Sequence, residues 1–128
     1  MATEQLMIYE NKNDLLSAAE KQSSKVEKNY KHSTYLYFIA RYFVSVYESR
    51  HGEIPIGVWN EYRNAIDHFF RFLTNEKGNI NNQGVPCQLE KMEGHLQRAA
   101  LDIMKILCHR TQENIKKMSN YSAYFTQK

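Results

Sequence analysis

Turn-forming residues are scarce in this chain. Its 128 residues include two prolines and five glycines. A β-sandwich or barrel reverses direction every few residues and draws on both types, so the shortage argues against an all-β fold. Cysteine is scarce too, with only Cys87 and Cys108. A secreted disulfide scaffold of this length carries more. The two do not form a CxxC pair and no histidine stands at ligand spacing from Cys87, so neither a metal nor a cofactor is expected. A glycine-rich phosphate loop and an HExxH helix are also missing. No apolar run approaches the roughly 20 residues that span a bilayer. The opening MATEQLMIYENKND lacks the cationic start and apolar run of a signal peptide. The expectation is a cytoplasmic protein without membrane contact.

What is present suits a helical core. Hydrophobic residues make up 42% and charged residues 24%, enough apolar material to oppose disorder. The length fits one domain over 1–128. The apolar positions recur every three to four residues, which predicts four helices. The first falls within about 3–29. Asn11-Lys12-Asn13-Asp14 is a point where it can break, with Asn13 or Asp14 capping a shorter helix. The second runs from about Ser33, as N-cap, to His51, with Gly52 beyond its end. Its stripe is Tyr35, Phe38, Ile39, Tyr42, Phe43 and Val46. The third starts near Pro55 and ends near Thr74, with Val58, Tyr62, Ile66, Phe69 and Leu73 inward. The asparagines and glycines of 77–86 mark a loop. The fourth runs from about Cys87 to Lys117, with Leu89, Met92, Leu96, Ala99, Ile103, Ile106 and Leu107 inward. A short tail, 119–128, holds Tyr121, Tyr124 and Phe125 and is either flexible or a docking element.

Each helix is apolar on one side and must bury that side. Four of them with short connections predict an all-α, antiparallel four-helix bundle with a short C-terminal tail. The second and third helices carry more aromatics than a small bundle needs. Tyr37 and Val44 fall off the stripe of helix two, and Trp59 and Phe70 fall at the edge of that of helix three. The surplus is either a wide core stripe or a surface for self-association or a partner.

Charge adds a second pattern. The net charge is only +3. Lys21, Lys25, Lys28 and Lys31 nevertheless cluster with Glu27 alone against them, and Lys105, Arg110, Lys116, Lys117 and Lys128 with Glu113 alone. The first three lysines are spaced for one face of a helix. With Lys105, Arg110, Lys116 and Lys117 they are a candidate basic surface for phosphates, or else solvated helix ends.

Candidate chemistry lies in EYRNAIDHFFR and GHLQRAALD. Helix three carries Glu61, Asn64, His68 and Arg71 on one side and Arg63 with Asp67 on another. Helix four carries His95, Arg98 and Asp102 along one side. Neighbouring antiparallel helices bring the two groups together near mid-bundle. A buried network of this kind is tolerable only if fully paired. The alternative is solvated faces, with Arg63 and Asp67 an ordinary i,i+4 pair. Cys108, followed by His109, is badly placed for a thiolate pair, since adjacent helical residues point about 100° apart. It reads as a small residue at the core edge.

From Arg63 to His68 the spacing is R-x4-H, with Asn64 directly after the arginine. This six-residue segment resembles the signature of HEPN domains, small helical bundles found in toxins and antiviral systems. Many of them cut RNA with the Arg and His of two paired protomers. The resemblance implies Arg63 and His68 as a catalytic pair, Asn64 as their support, and dimerisation. The arginine would stabilise phosphate charge and the histidine would move a proton.

Three functions follow as expectations. One is a non-enzymatic interaction subunit that self-associates or binds a larger protein and contacts nucleic acid through its basic ends, at home in a bacterial or phage conflict system. The second is a metal-independent endoribonuclease of the HEPN type. The third is a sensor of small anions or nucleotides, with Arg63, His68, His95 and Arg98 on one cavity.

Overall fold

A computed structural model of the chain describes residues 9, 11–74, 80 and 86–126, with the backbone alone at 121 and 123–126. It is an all-α bundle of four helices in order: α1 (Lys12–Ser23), α2 (Lys28–His51), α3 (Ile56–Thr74) and α4 (Cys87–Thr126). Among the described residues the only β-type pairing is an isolated bridge between Ile80 and Pro86.

Local chemistry sets the ends, and several differ from expectation. Asn11, not Asn13 or Asp14, caps α1: its Oδ1 accepts from the Asp14 N–H at 3.0 Å. The expected residues 3–8 and 10 of that helix lie outside the described set. The helix stops at Ser23, where Ser23 donates to the Glu20 carbonyl and Ser24 to that of Lys21. Such hydroxyls compete with the backbone and favour helix ends. A tight turn follows, and α2 starts at Lys28, not after Ser33. Ser33 is therefore an interior, buried residue. Gly52 ends α2 at φ 71°, where its N–H meets the Glu48 carbonyl at 2.7 Å. That left-handed conformation favours glycine. Pro55 stands just before α3 and its carbonyl accepts the Trp59 N–H.

α2 and α4 run parallel, and α3 runs against both. The packing shows this. His32 meets Glu93 at one end of α2, and Arg110 lies over the Tyr47 ring near the other. His68 meets Gln88 while Val58 packs with Ala99 and Ile103. α4 is the spine, in contact with α3 on one side and α2 on the other; α1 rests on α2. One buried cluster joins Val44, Tyr47, Val58, Ala99 and Ile103, and a second joins Ala65, Leu89, Met92 and Leu96. Ala65 and Ala99 are buried within these clusters, where a small side chain allows helices to approach closely.

The inward faces depart from the expected stripes in three places. In α2, Val44 and Tyr47 are buried, although Val44 reads as off the stripe. α2 serves both α1 and α4, so its core face is wider than one stripe. In α3, Ile66 and Leu73 read as inward but are exposed. In α4, the helix runs on through the expected tail to Thr126. From Cys108 to Asn120 every residue is exposed, so Cys108 is not at the core edge. At about 1.5 Å per residue the 40-residue α4 is ~60 Å long, and the exposed stretch Thr111–Asn120 carries it ~15 Å past the contact of Arg110 with Tyr47.

Candidate functional site

Two arrangements stand out: a polar cluster between α3 and α4, and an apolar groove between α2 and α3.

The cluster is where the two polar groups meet. His68 of α3 stacks on His95 of α4, with ring centroids 5.2 Å apart and planes 13° from parallel. His95 Nδ1 lies 2.6 Å from Glu61 Oε2. Arg98 comes to the same carboxylate oxygen at 3.4 Å through Nε, and its Nη2 lies 2.9 Å from His95 Nδ1. One ring nitrogen cannot both donate and accept. With Glu61 ionised, Nδ1 carries the proton and donates to the carboxylate. Burial is the largest single influence on Glu61 and opposes its charge. The His95 hydrogen bond and the charges of Arg98 and His95 together outweigh it and hold the carboxyl below its ordinary value. His68 Nδ1 lies 2.7 Å from Gln88 Oε1, to which it donates as the N–H tautomer. Gln88 is buried, and nothing in its spacing marks it as a partner of His68.

Other expected site residues lie elsewhere. Five residues along a helix turn about 140°. Accordingly Arg63 faces solvent, while His68 turns toward α4. Asn64 is half-buried between them. Arg71 pairs with Asp67 at 2.9 Å rather than with the histidines, and so takes the place expected of Arg63. Asp102, one turn beyond Arg98, is half-buried and has no ion pair among the described residues. Thus His68, His95 and Arg98 converge and Arg63 does not. Among the described residues no group of three His, Cys, Asp or Glu side chains is placed to hold a metal ion.

The lysines do not share one helix face. Lys21 ends α1, Lys25 lies in the turn and Lys28 opens α2. All three are exposed, at the end of the bundle where α4 begins. Lys105, Arg110, Lys116 and Lys117 are exposed along the outer half of α4, toward the opposite end. The structure therefore makes two separated basic patches. No helix of the described residues is long and apolar enough to cross a membrane.

The groove follows from the packing order. α2 and α3 both lean on α4, yet their backbones do not come into contact with each other. Between them lies a cavity of about 850 Å³. Tyr37, Arg41 and Val44 of α2 form one wall, Trp59, Ile66 and Phe70 of α3 the other, and Met92 and Leu96 of α4 the floor. Rings bridge it at a few points. Tyr37 meets Tyr62 edge-on at 6.3 Å, and Tyr30 meets Phe69 and Phe72 at 6.2 and 6.3 Å. Burial, with a smaller contribution from Tyr37, pushes the Tyr62 phenol up, so it stays neutral. Ser33 also lines the groove, and its Oγ is buried without a hydrogen-bond partner among the described residues. An orphaned buried hydroxyl costs about 1–3 kcal/mol.

The α3 wall continues outward as an apolar stripe. Ile56 is 78% exposed, Trp59 58%, Ile66 57%, Phe70 56% and Leu73 42%. With the exposed Arg63, these positions step by three and four residues in strict alternation, the spacing of a coiled-coil seam. Periodicity signals such a seam in the sequence, but it cannot say whether the chain itself covers it. Compared with protein families, curated proteins and solved structures, the chain matches none of them.

Proposed function

We propose that this chain is a non-catalytic helical interaction module whose working surface is the α2/α3 groove, which receives an amphipathic helix from another polypeptide. The observation that carries this reading is the apolar gap itself. Two helices share a floor, leave a space between them, and expose Trp59, Ile66 and Phe70 along its edge. A half-exposed ring still offers on the order of 100 Å² to water. At ~25 cal/mol per Å², covering each returns about 2.5 kcal/mol before the costs of association. Helix-in-groove docking uses anchors spaced three and four residues apart, which is the spacing these walls present.

The polar cluster supports the same reading. The Nδ1 atoms of His68 and His95 are engaged by Gln88 and Glu61, and Arg98 by Glu61. Its charges are spent on one another, as in a brace between α3 and α4.

The test is site-specific photo-crosslinking in the native cell. A photoreactive residue at Trp59 or Phe70 should give a discrete adduct with another polypeptide. The same residue at Gln112, exposed on α4, should give none. Equal labelling at all three positions, or none at any, rejects the groove as a working surface.

A further inference from the structure

The geometry points to a second copy of this chain as the occupant, with the two α3 helices packed antiparallel across a two-fold axis and Arg63 of each copy beside Asp67 of the other. This rests on the groove reading and names its partner.

The exposed seam of α3 is Ile56, Trp59, Arg63, Ile66, Phe70 and Leu73. Under a two-fold axis residue i meets residue j and j meets i, so a seam that pairs with itself must be complementary to its own reverse. Reversed against itself about its middle, Ile56 meets Leu73, Trp59 meets Phe70, and Arg63 meets Ile66. Both ends carry an aliphatic residue, the next positions carry a large ring, and the centre holds the one charge.

Charge then selects the direction. A parallel pairing sets Arg63 against Arg63, an unfavourable like-charge contact. The antiparallel pairing sets Arg63 opposite Ile66, one residue from Asp67 of the other copy. Arg63 has no ion-pair partner within its own chain among the described residues. Asp67 already takes Arg71 on one oxygen, and a carboxylate has lone pairs for a second cation. The two-fold makes this contact twice. Exposed ion pairs add little affinity, but they fix register and orientation.

Area is adequate. Six half-exposed side chains from each copy hide on the order of 1,200 Å² together, the lower end of specific protein interfaces. Each α3 also enters the partner's groove, which adds contact with Tyr37 and the floor residues. The gap between α2 and α3 is then the place of a helix that the free chain does not supply.

The experiment uses the full chain in analytical ultracentrifugation from about 1 to 100 µM, with circular dichroism to confirm helicity. The wild-type chain should reversibly reach twice the chain mass. Phe70→Ser, exposed in the single chain, should stay folded and weaken dimerisation by about 100-fold. Arg63→Asp alone and Asp67→Arg alone should each weaken it by about tenfold, since each sets like charges together twice. Mixing those two variants should restore a heterodimer, because every opposed pair is again attractive. The sole tryptophan, Trp59, should shift its emission to the blue on assembly.

A wild-type dimer that ignores Phe70→Ser, or charge variants that do not complement, overturns the interface. A wild-type monomer at the highest concentration overturns self-pairing. In that monomer a hydrophobic dye separates the two levels. Dye uptake abolished by Phe70→Ser leaves the groove as a docking surface for a different helix. No uptake removes the groove reading with it.

Discussion

Val58 and Phe70 stand on the same helix, are both apolar, and have opposite surroundings. Val58 is completely enclosed by α2 and α4, whereas Phe70 lies more than half in water. The difference does not lie in their hydrophobicity. α3 is apolar over a wide arc, and α4 covers only part of it. α2 stands too far away to cover the rest. An amphipathic helix wider than its own chain needs is a helix prepared for further contact.

The comparison breaks most directly by truncating one side chain on each face. Ile103→Ala empties part of the fully enclosed cluster around Val58 and should cost about 2–5 kcal/mol, through lost transfer energy and the cavity left behind. Phe70→Ala, measured where the chain is monomeric, should change stability by less than ~0.5 kcal/mol. Thermal or urea unfolding followed by circular dichroism reads both. Similar losses would mean that the outer face is structural after all.

A smaller effect comes from the polar brace on the inner side. Glu61→Gln removes the charge that His95 and Arg98 share and should lower Tm by about 3–6 °C near neutral pH. The sign with pH follows from linkage. The folded Glu61 carboxyl sits below its ordinary value of 4.5. Its stabilisation is therefore complete above that value and fades as pH falls through the lowered one. The Tm gap between wild type and Glu61→Gln should close in acid; a gap that widens there would assign Glu61 a different role. Of similar size and opposite sign is Ser33→Ala. It deletes the unpartnered hydroxyl under the groove and should raise the stability of the free chain by about 1 kcal/mol. A loss instead would show that the hydroxyl is satisfied in the single chain.

Much of this was legible before any coordinates. Four helices, the third and fourth spanning Pro55–Thr74 and starting at Cys87, follow from periodicity and punctuation. So does the convergence of His68 with His95, because antiparallel neighbours with mid-helix polar residues must bring them face to face. Ile66 shows the limit. Its spacing from Tyr62 and Phe69 places it on an apolar face, but spacing ranks faces only by greasiness. Which face a neighbour covers depends on where α2 lies, and the spacing along α3 carries no record of that. The early start of α2 was hidden because Lys28–Lys31 belongs to a polar, lysine-rich stretch from Lys21 that resembles a frayed end. Gln88 was invisible for another reason: an amide one turn into a helix has no pattern of its own, and its role appears only once His68 lies opposite. The segment Ser119–Thr126, expected as a flexible or docking tail, is helical because a helix already under way propagates far more readily than it nucleates.

That projecting half of α4 offers the finest test of what exposure means. Like the outer face of α3, it shows apolar side chains to water, Ile115 and Met118 among them. Unlike that face, it has no wall beside it and no cavity beneath it among the described residues. It also mixes those two with Lys116, Lys117 and Glu113. If exposed apolar surface alone made a docking site, both regions would bind. If a groove is needed, only α3 binds. Ending the chain after Thr111 keeps Arg110 over the Tyr47 ring and removes the overhang. The shortened chain should lose less than ~0.5 kcal/mol of stability, since Gln112–Asn120 are all exposed. In ultracentrifugation it should dimerise like the full chain, with Phe70→Ser still disrupting the pair. A truncated chain that stays monomeric would move the self-association surface from α3 to the overhang, and the two regions would then have exchanged roles.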